Sequence, residues 1–91
     1  MMRIRLANDL ERDLVKVKKT DARLAKRIEK QLALFATNPQ HRSLRVHKLS
    51  GKLQNMWSIS ITKSIRMIYL LINDDEAYFF DIGTHNEVYK K

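Results

Sequence analysis

The spacing of hydrophobic residues changes once along the chain, near Pro39, and this change limits the fold more than any other feature. Before Pro39, apolar residues recur every three or four positions, which is typical of amphipathic helices. After it they alternate with polar residues, as strands do. With 91 residues and 44% hydrophobic side chains, the chain has material for one small core. We therefore predict a single domain, residues 1–91, of the α+β class.

Two helices are predicted before Pro39. The first begins at Asn8, and the second follows Thr20-Asp21, which supplies a capping oxygen and an early acidic group. Their short connection predicts an antiparallel hairpin. The expected apolar stripes are Leu10, Leu14, Val15 and Val17 in the first helix, and Leu24, Ala25, Ile28, Leu32 and Phe35 in the second.

The strands give the predicted order βααβββ. A short strand at Arg3–Leu6 precedes the helices, and alternation resumes at 44–49, 56–61, 65–72 and 77–82. Four strands result, as in βααβββ, when 44–49 is not counted as a strand of its own, and five when it is. Hairpin-length turns make the last three an antiparallel meander. The helical hairpin should pack on one face of this mostly antiparallel sheet, with the more polar face open.

The charge is concentrated in one half of the chain. The net charge is +8, and residues 1–52 carry +9 against −1 for residues 53–91. Such a field favours nucleic acid as a partner, ahead of an acidic protein or an anionic membrane surface. The alternative is a solvated helical face that keeps the protein soluble. We expect a cytoplasmic protein without a membrane segment, because Met67 to Asn73 is the longest uncharged apolar stretch.

The sequence lacks the residues that several kinds of catalytic or binding site require. There is no Cys, no Gly-rich phosphate loop and no metal-ligand spacing among His41, His47 and His85. We therefore predict no metal and no cofactor. Acid–base or electrostatic chemistry remains.

Arg66 opens the apolar strand 65–72, where an unpaired guanidinium would be costly to bury. It could form a salt bridge at the sheet edge, for example with Asp81. It could instead clamp a phosphate through two hydrogen bonds.

Two histidines have neighbours that suit RNA chemistry. Gly83 should break the last strand and leave His85 just beyond it, with Tyr89 one helical turn later as a ring that stacks or a phenol that binds phosphate. His47 lies between Arg45 and a basic segment that ends at Lys52. The alternative is that these are a surface histidine and a basic loop.

Together these segments resemble a known family. The resemblance rests on Asn38-Pro39, Leu44 with His47-Lys48-Leu49-Ser50-Gly51, Trp57 to Ile61, Arg66 to Tyr69, and the closing run Asp81 to Tyr89. In this order they resemble the RelE/ParE superfamily of bacterial and archaeal toxins, and are similar in particular to the RelE, YoeB and YafQ type mRNA interferases. The resemblance covers essentially the whole chain.

The resemblance implies a cytoplasmic endoribonuclease that cleaves mRNA in the ribosomal A site and is silenced by an antitoxin protein. Arg66 matches the arginine that clamps the scissile phosphate, His85 a catalytic histidine, and Tyr89 an aromatic residue that orients the substrate. His47 matches a histidine of YafQ-like members, followed by Lys48 and Lys52 in a stretch used on RNA. Ser60 and Ser64 depart from the pattern, because YafQ-like members have a further His and Asp there.

We therefore predict a metal-independent endoribonuclease in which the RNA 2′-OH is the nucleophile. His47 would be the base and His85 the acid, or the reverse, while Arg66 with Lys48 or Lys52 stabilises the phosphorane charge. Arg45 would contribute to substrate binding. The alternatives are a ParE-like toxin that binds DNA gyrase without catalysis, and a basic nucleic-acid-binding module.

Overall fold

The computed structural model describes residues 1–49 and 55–89, without the side chains of His85 and Tyr89. Five strands and three helices follow one another along this part of the chain. They are β1 (Arg3–Leu6), α1 (Asn8–Thr20), α2 (Ala22–Thr37), β2 (His47–Lys48), β3 (Met56–Ser60), β4 (Ile65–Asn73), β5 (Glu76–Thr84) and α3 (His85–Tyr89). A single 3₁₀ turn, Arg42–Leu44, precedes β2.

The strands form one mixed sheet in the order β1-β5-β4-β3-β2. Strands β2 to β5 are antiparallel neighbours, and β1 pairs parallel to β5, with Arg3 opposite Glu76. The predicted α+β class and the antiparallel meander are therefore confirmed. The parallel pairing of the first strand with the last was not predicted.

The helices pack on the sheet as their apolar stripes predict. Asp21 accepts a hydrogen bond from the Leu24 N–H at 3.1 Å and so caps α2, which ends at Thr37 before Asn38-Pro39. Most of the buried hydrophobic side chains form one cluster between the helical hairpin and the sheet. Its largest members include Leu10, Phe35, Ile59, Met67 and Phe79. Val15 departs from the prediction, because its side chain lies 56% exposed on α1.

Polar side chains of α2 bond to backbone carbonyls at the end of β3 and just beyond it. The Gln31 side chain is 1% exposed, and its Nε2 donates to the Ser60 carbonyl at 2.8 Å. One turn earlier, the Arg27 Nε donates to the Ile61 carbonyl at 2.8 Å. The buried Gln31 bond is costly to break, because the unpaired Ser60 carbonyl would stay away from water. These bonds hold α2 over the β3–β4 turn.

The second face of the sheet is less open than predicted. Leu49, Ile68 and Val88 form a second buried cluster there, with Met56 and Phe80 packed against it. Ser58 is fully buried on the same face. Val88 belongs to α3, so this short helix folds back over the face that the helical hairpin leaves free.

Two boundaries differ from the prediction. Residues 44–49 do not form a continuous strand, because Arg45 adopts a left-handed conformation (φ 45°) after the 3₁₀ turn and only His47–Lys48 pair with β3. Gly83 does not break the last strand, which continues to Thr84 with Gly83 opposite Arg66. No helix in residues 1–49 and 55–89 is long and apolar enough to cross a membrane.

Candidate active site

The register of β2, β3 and β4 places His47 and Arg66 on the second face of the sheet. His47 pairs with Ser58, Ser58 with Ile68, and Ser60 with Arg66. Directly paired residues of antiparallel strands point to the same face. From a strand spacing of about 4.8 Å and a rise of about 3.4 Å per residue, the Cα atoms of His47 and Arg66 lie about 12 Å apart. Two long polar side chains therefore face the same surface across β3.

Arg66 is partly buried, and its Nη1 atom is buried without a hydrogen-bond partner. Its cross-strand neighbours are Ser60 and Gly83, neither of which offers a carboxylate. In the described part of the chain Arg66 forms no ion pair, and this includes the predicted alternative with Asp81. A donor that is desolvated and unpaired costs free energy, and an anion bound beside it would recover that cost.

Helix α3 is held against this face by a reciprocal pair of hydrogen bonds. The Thr84 Oγ1 accepts from the Glu87 N–H at 3.2 Å, and the Glu87 Oε1 accepts from the Thr84 N–H at 2.7 Å. This capping box satisfies two backbone donors at the start of the helix. Gly83 permits the Glu87 side chain to lie close to the strand, because a Cβ at position 83 would lie 3.2 Å from the Glu87 Cβ and Oε1. The box therefore fixes where the backbone of His85 begins.

The backbone of His85 starts α3 directly after Thr84, which pairs with Ile65 beside Arg66. Tyr89 is the last residue of the same helix. The backbone thus brings the start of α3 to the Arg66 end of the sheet. The side chains of both residues, and the whole of Lys52, lie outside the described residues.

The structure does not bring Lys48 and Arg45 together with Arg66. Lys48 pairs with Trp57, one residue out of step with His47, so it points to the opposite face. Its Nζ lies 5.7 Å from the Trp57 ring centroid, a cation–π contact. Arg45 is exposed on the connection that precedes β2. Lys48 and Arg45 therefore both lie at the margin of the sheet.

Two features of this site were not predicted from the sequence. The spacing Thr84-x-x-Glu87 is the pattern of a capping box, and it signals the start of α3. Ser58 is buried between His47 and Ile68, and its position follows only from the register. Among the described residues, no three His, Cys, Asp or Glu side chains cluster so as to hold a metal ion.

Comparisons with known proteins agree with this architecture. Residues 2–90 match the family described as the bacterial toxin of the type II toxin–antitoxin system, YafQ. Among curated proteins, none matches the chain significantly.

Three solved structures share the fold at low sequence identity. A YoeB/ParE toxin from Agrobacterium tumefaciens has a TM-score of 0.76 at 20% identity, covering 92% of this chain and 99% of that one. YafQ from E. coli strain BL21(DE3) has a TM-score of 0.73 at 17% identity, covering 98% and 99%. The heterotetrameric YoeB-YefM toxin–antitoxin complex from Staphylococcus aureus has a TM-score of 0.75 at 19% identity, covering 93% and 98%.

The family match spans nearly the whole chain, and the helical hairpin on a five-stranded sheet is the fold of these toxins. The chain therefore belongs to the YafQ family and is a toxin of a type II toxin–antitoxin system.

Proposed function

We propose that this toxin is a metal-independent endoribonuclease that cleaves mRNA in the ribosomal A site and is silenced by a cognate antitoxin. The observation that carries the proposal is the Arg66 Nη1, a buried and unpaired cationic donor on the face that His47 shares. A phosphate would supply the acceptor that this donor lacks. The net charge of +8 favours the approach of RNA.

The reaction needs three groups around one phosphate. The base takes the proton of the ribose 2′-OH, and the 2′-oxygen then attacks phosphorus. Arg66 stabilises the negative charge that develops on the phosphorane oxygens. The acid gives a proton to the departing 5′-oxygen, so the products are a 2′,3′-cyclic phosphate and a 5′-OH. We assign the base to His47 and the acid to His85, and the reverse assignment gives the same products.

Substrate contacts extend around these three residues. Tyr89, on the same short helix as His85, would stack on a base or orient the substrate. Lys48, Lys52 and Arg45 would bind the RNA backbone away from the scissile phosphate, because phosphate contacts position a nucleic acid without reading its sequence. This role suits the marginal positions of Lys48 and Arg45.

End-group analysis of cleaved RNA tests the proposal, with the purified toxin alone and with programmed ribosomes. We expect cyclic or 3′-phosphate ends and 5′-OH ends, undiminished by excess EDTA. A 2′-deoxy substitution at the scissile nucleotide should abolish cleavage, because it removes the nucleophile. His47→Ala and His85→Ala should each lower the rate by roughly 10²- to 10⁴-fold.

His41→Ala is the matched control, because His41 has no role in the proposed reaction. Its Nδ1 accepts from the Ser43 N–H at 3.1 Å within its own turn. It should cleave as the wild-type protein does. A 5′-phosphate product, or cleavage at the deoxy-substituted site, would refute the mechanism. No cleavage in either setting would favour the alternative in which the toxin acts by binding DNA gyrase.

A further inference from the structure

A buried glutamine occupies a core position of α2. Gln31 is 1% exposed and lies between the buried Ile28 and Phe35 on the apolar side of the helix. An amide at such a position costs free energy unless it finds hydrogen-bond partners, and an apolar side chain would avoid that cost. The contacts of Gln31 therefore show what the amide contributes that an apolar side chain would not.

The Gln31 amide reaches two carbonyl groups on different segments of the chain. Its Nε2 donates to the Ser60 carbonyl at 2.8 Å and lies 3.4 Å from the Ser43 carbonyl, at the long end of hydrogen-bond distances. A side-chain amide has two N–H donors, so it can serve both acceptors at once. One side chain of α2 thus ties the 3₁₀ turn Arg42–Leu44 to the end of β3.

The tether lies where β2 stops short of the end of β3. Strand β2 begins at His47, which pairs with Ser58, so a longer β2 would place Arg45 opposite Ser60. Arg45 instead has a left-handed backbone and belongs to the connection that follows the 3₁₀ turn. Gln31 therefore bonds the end of β3 at the position where β2 has no residue.

Both ends of the tether lie next to residues of the proposed active site. Ser60 pairs directly with Arg66, and the 3₁₀ turn leads through Arg45 to His47. Because β2 contains only two residues, its own ladder gives His47 little support. Leu44 is fully buried and anchors the same turn, but apolar contact is non-directional, whereas a hydrogen bond has a defined geometry. The tether thus limits how far the two segments can move apart.

We propose that Gln31 is a positioning residue of the proposed active site. It holds the segment that carries His47 at a fixed distance from the strand that carries Arg66. It does not touch RNA, because its side chain is buried. The inference rests on the proposed cleavage of RNA, and it adds that a side chain from the helical layer sets the geometry of a site on the other face of the sheet.

Gln31→Met tests the inference, because methionine has a similar length and no hydrogen-bond donor. In the RNA cleavage assay kcat should fall at least tenfold, since a displacement of about 1 Å can cost roughly 10²-fold in rate. KM should stay within about twofold, because the residues proposed to bind the RNA backbone are unchanged. Ile28→Val serves as the control on the same side of α2: it removes buried apolar volume and should lower the urea midpoint without changing kcat.

Gln31→Glu tests whether the donor itself is what matters. It keeps the length of the side chain, and its carboxyl group can donate to the Ser60 carbonyl only when it is protonated. The ratio of its kcat to that of the wild type should therefore rise as the pH is lowered, because the missing donor returns. A ratio that does not change with pH would contradict the assigned hydrogen bond.

Amide hydrogen exchange shows whether the tether holds the turn. The Leu44 and Arg45 amides each donate within or next to the turn at 3.1 Å. Both should exchange faster in Gln31→Met, because the turn opens more often. The Ala7 amide, which donates to the Phe79 carbonyl at 2.9 Å, should keep its wild-type rate. Unchanged exchange at both turn amides would overturn the tether.

The kinetic results separate this inference from the proposed function. An unchanged kcat in Gln31→Met, or a rise in KM alone, would overturn the positioning role. Equal losses of kcat in Gln31→Met and Ile28→Val would assign Gln31 to stability alone. A wild-type toxin that cleaves no RNA, alone or with programmed ribosomes, would refute the proposed function and with it the positioning role, and this result is visible before any variant is compared.

Discussion

One extra residue in β5 decides which residue of that strand lies opposite Arg66. From Ile65 to Ile68 the pairing with β5 is offset by one from the pairing at Tyr69, and Phe80 is the residue left over. A bulge of this kind rotates the strand beyond it. Without the bulge, Arg66 would lie opposite the bulky Ile82 instead of Gly83, and Ile82 would leave the main core for the face of Arg66.

The sequence itself contains a signal for this bulge, although a regular strand was predicted over 77–82. Apolar residues stand at the odd positions 77 and 79 and then at the even positions 80 and 82, and in the structure Ile82 packs on the same core as Ala77 and Phe79. A strand keeps one face on one parity, so a change of parity within it predicts a bulge. Arg66 could be named as a candidate from the sequence alone, because it is a charged residue in an otherwise apolar strand. Its unpaired Nη1 could not, because that depends on the register.

An unpaired buried donor should make Arg66 costly for stability and necessary for activity. We expect Arg66→Met to leave the free energy of unfolding unchanged or raise it, since it removes the unsatisfied group. Cleavage should fall by roughly 10²- to 10³-fold, as expected for the loss of an oxyanion-stabilising group. Urea unfolding and the RNA cleavage assay measure the two effects.

Arg12→Ala is the control, because Arg12 is exposed on α1 and pairs with Asp9. It should change neither quantity appreciably. A large loss of stability in Arg66→Met with cleavage retained would instead assign Arg66 a structural role.

At the level of elements, α3 is the shortest helix and depends most on its cap. Five residues cannot form a stable helix alone, because helix nucleation is unfavourable. The capping box at Thr84 and Glu87 and the burial of Val88 are what fix it on the sheet. The two long helices, by contrast, could be predicted directly from the spacing of their apolar residues.

Thr84→Ala should loosen α3, and Thr84→Ser should not. The alanine variant lacks the Oγ1 that accepts the Glu87 N–H, a loss of about 1 kcal/mol for the local helix. We expect faster amide exchange at Glu87 and Val88 and slower RNA cleavage, because the helix carries His85. Serine keeps the acceptor and should preserve both. Equal exchange in the two variants would show that the cap does not hold α3.

For the whole molecule, three aromatic rings join the helical layer to the sheet. The ring centroids of Phe35, Tyr69 and Phe79 lie 4.9 to 5.3 Å apart. Phe35 comes from α2, Tyr69 from β4 and Phe79 from β5. The change of period at Pro39 predicts these two layers, since each side chain lies on an apolar stripe or face. Which rings meet depends on packing that no local pattern encodes.

Stability should fall at alkaline pH because of Tyr69. Burial raises the pKa of Tyr69 from 10.0 to about 12. Below pH 10 the phenol keeps its proton in both states, and the stabilisation is complete. Between pH 10 and 12 the unfolded chain ionises while the folded one does not, so up to about 2 kcal/mol is lost. Urea unfolding of the wild type and Tyr69→Phe over this range measures the difference, and parallel pH profiles for the two proteins would contradict it.

The parallel contact between β1 and β5 also sets the order in which the protein can fold as it is made. Arg3 leaves the ribosome early, yet its partner Glu76 is translated more than seventy residues later. Nascent chains fold from the N-terminus as segments emerge, and contacts distant in sequence form last. The hairpin α1–α2 can therefore form while its apolar side still waits for β3 to β5. The face that carries Arg66 is completed only when Gly83 and α3 have been added, so a nascent toxin has no assembled site during most of its own translation.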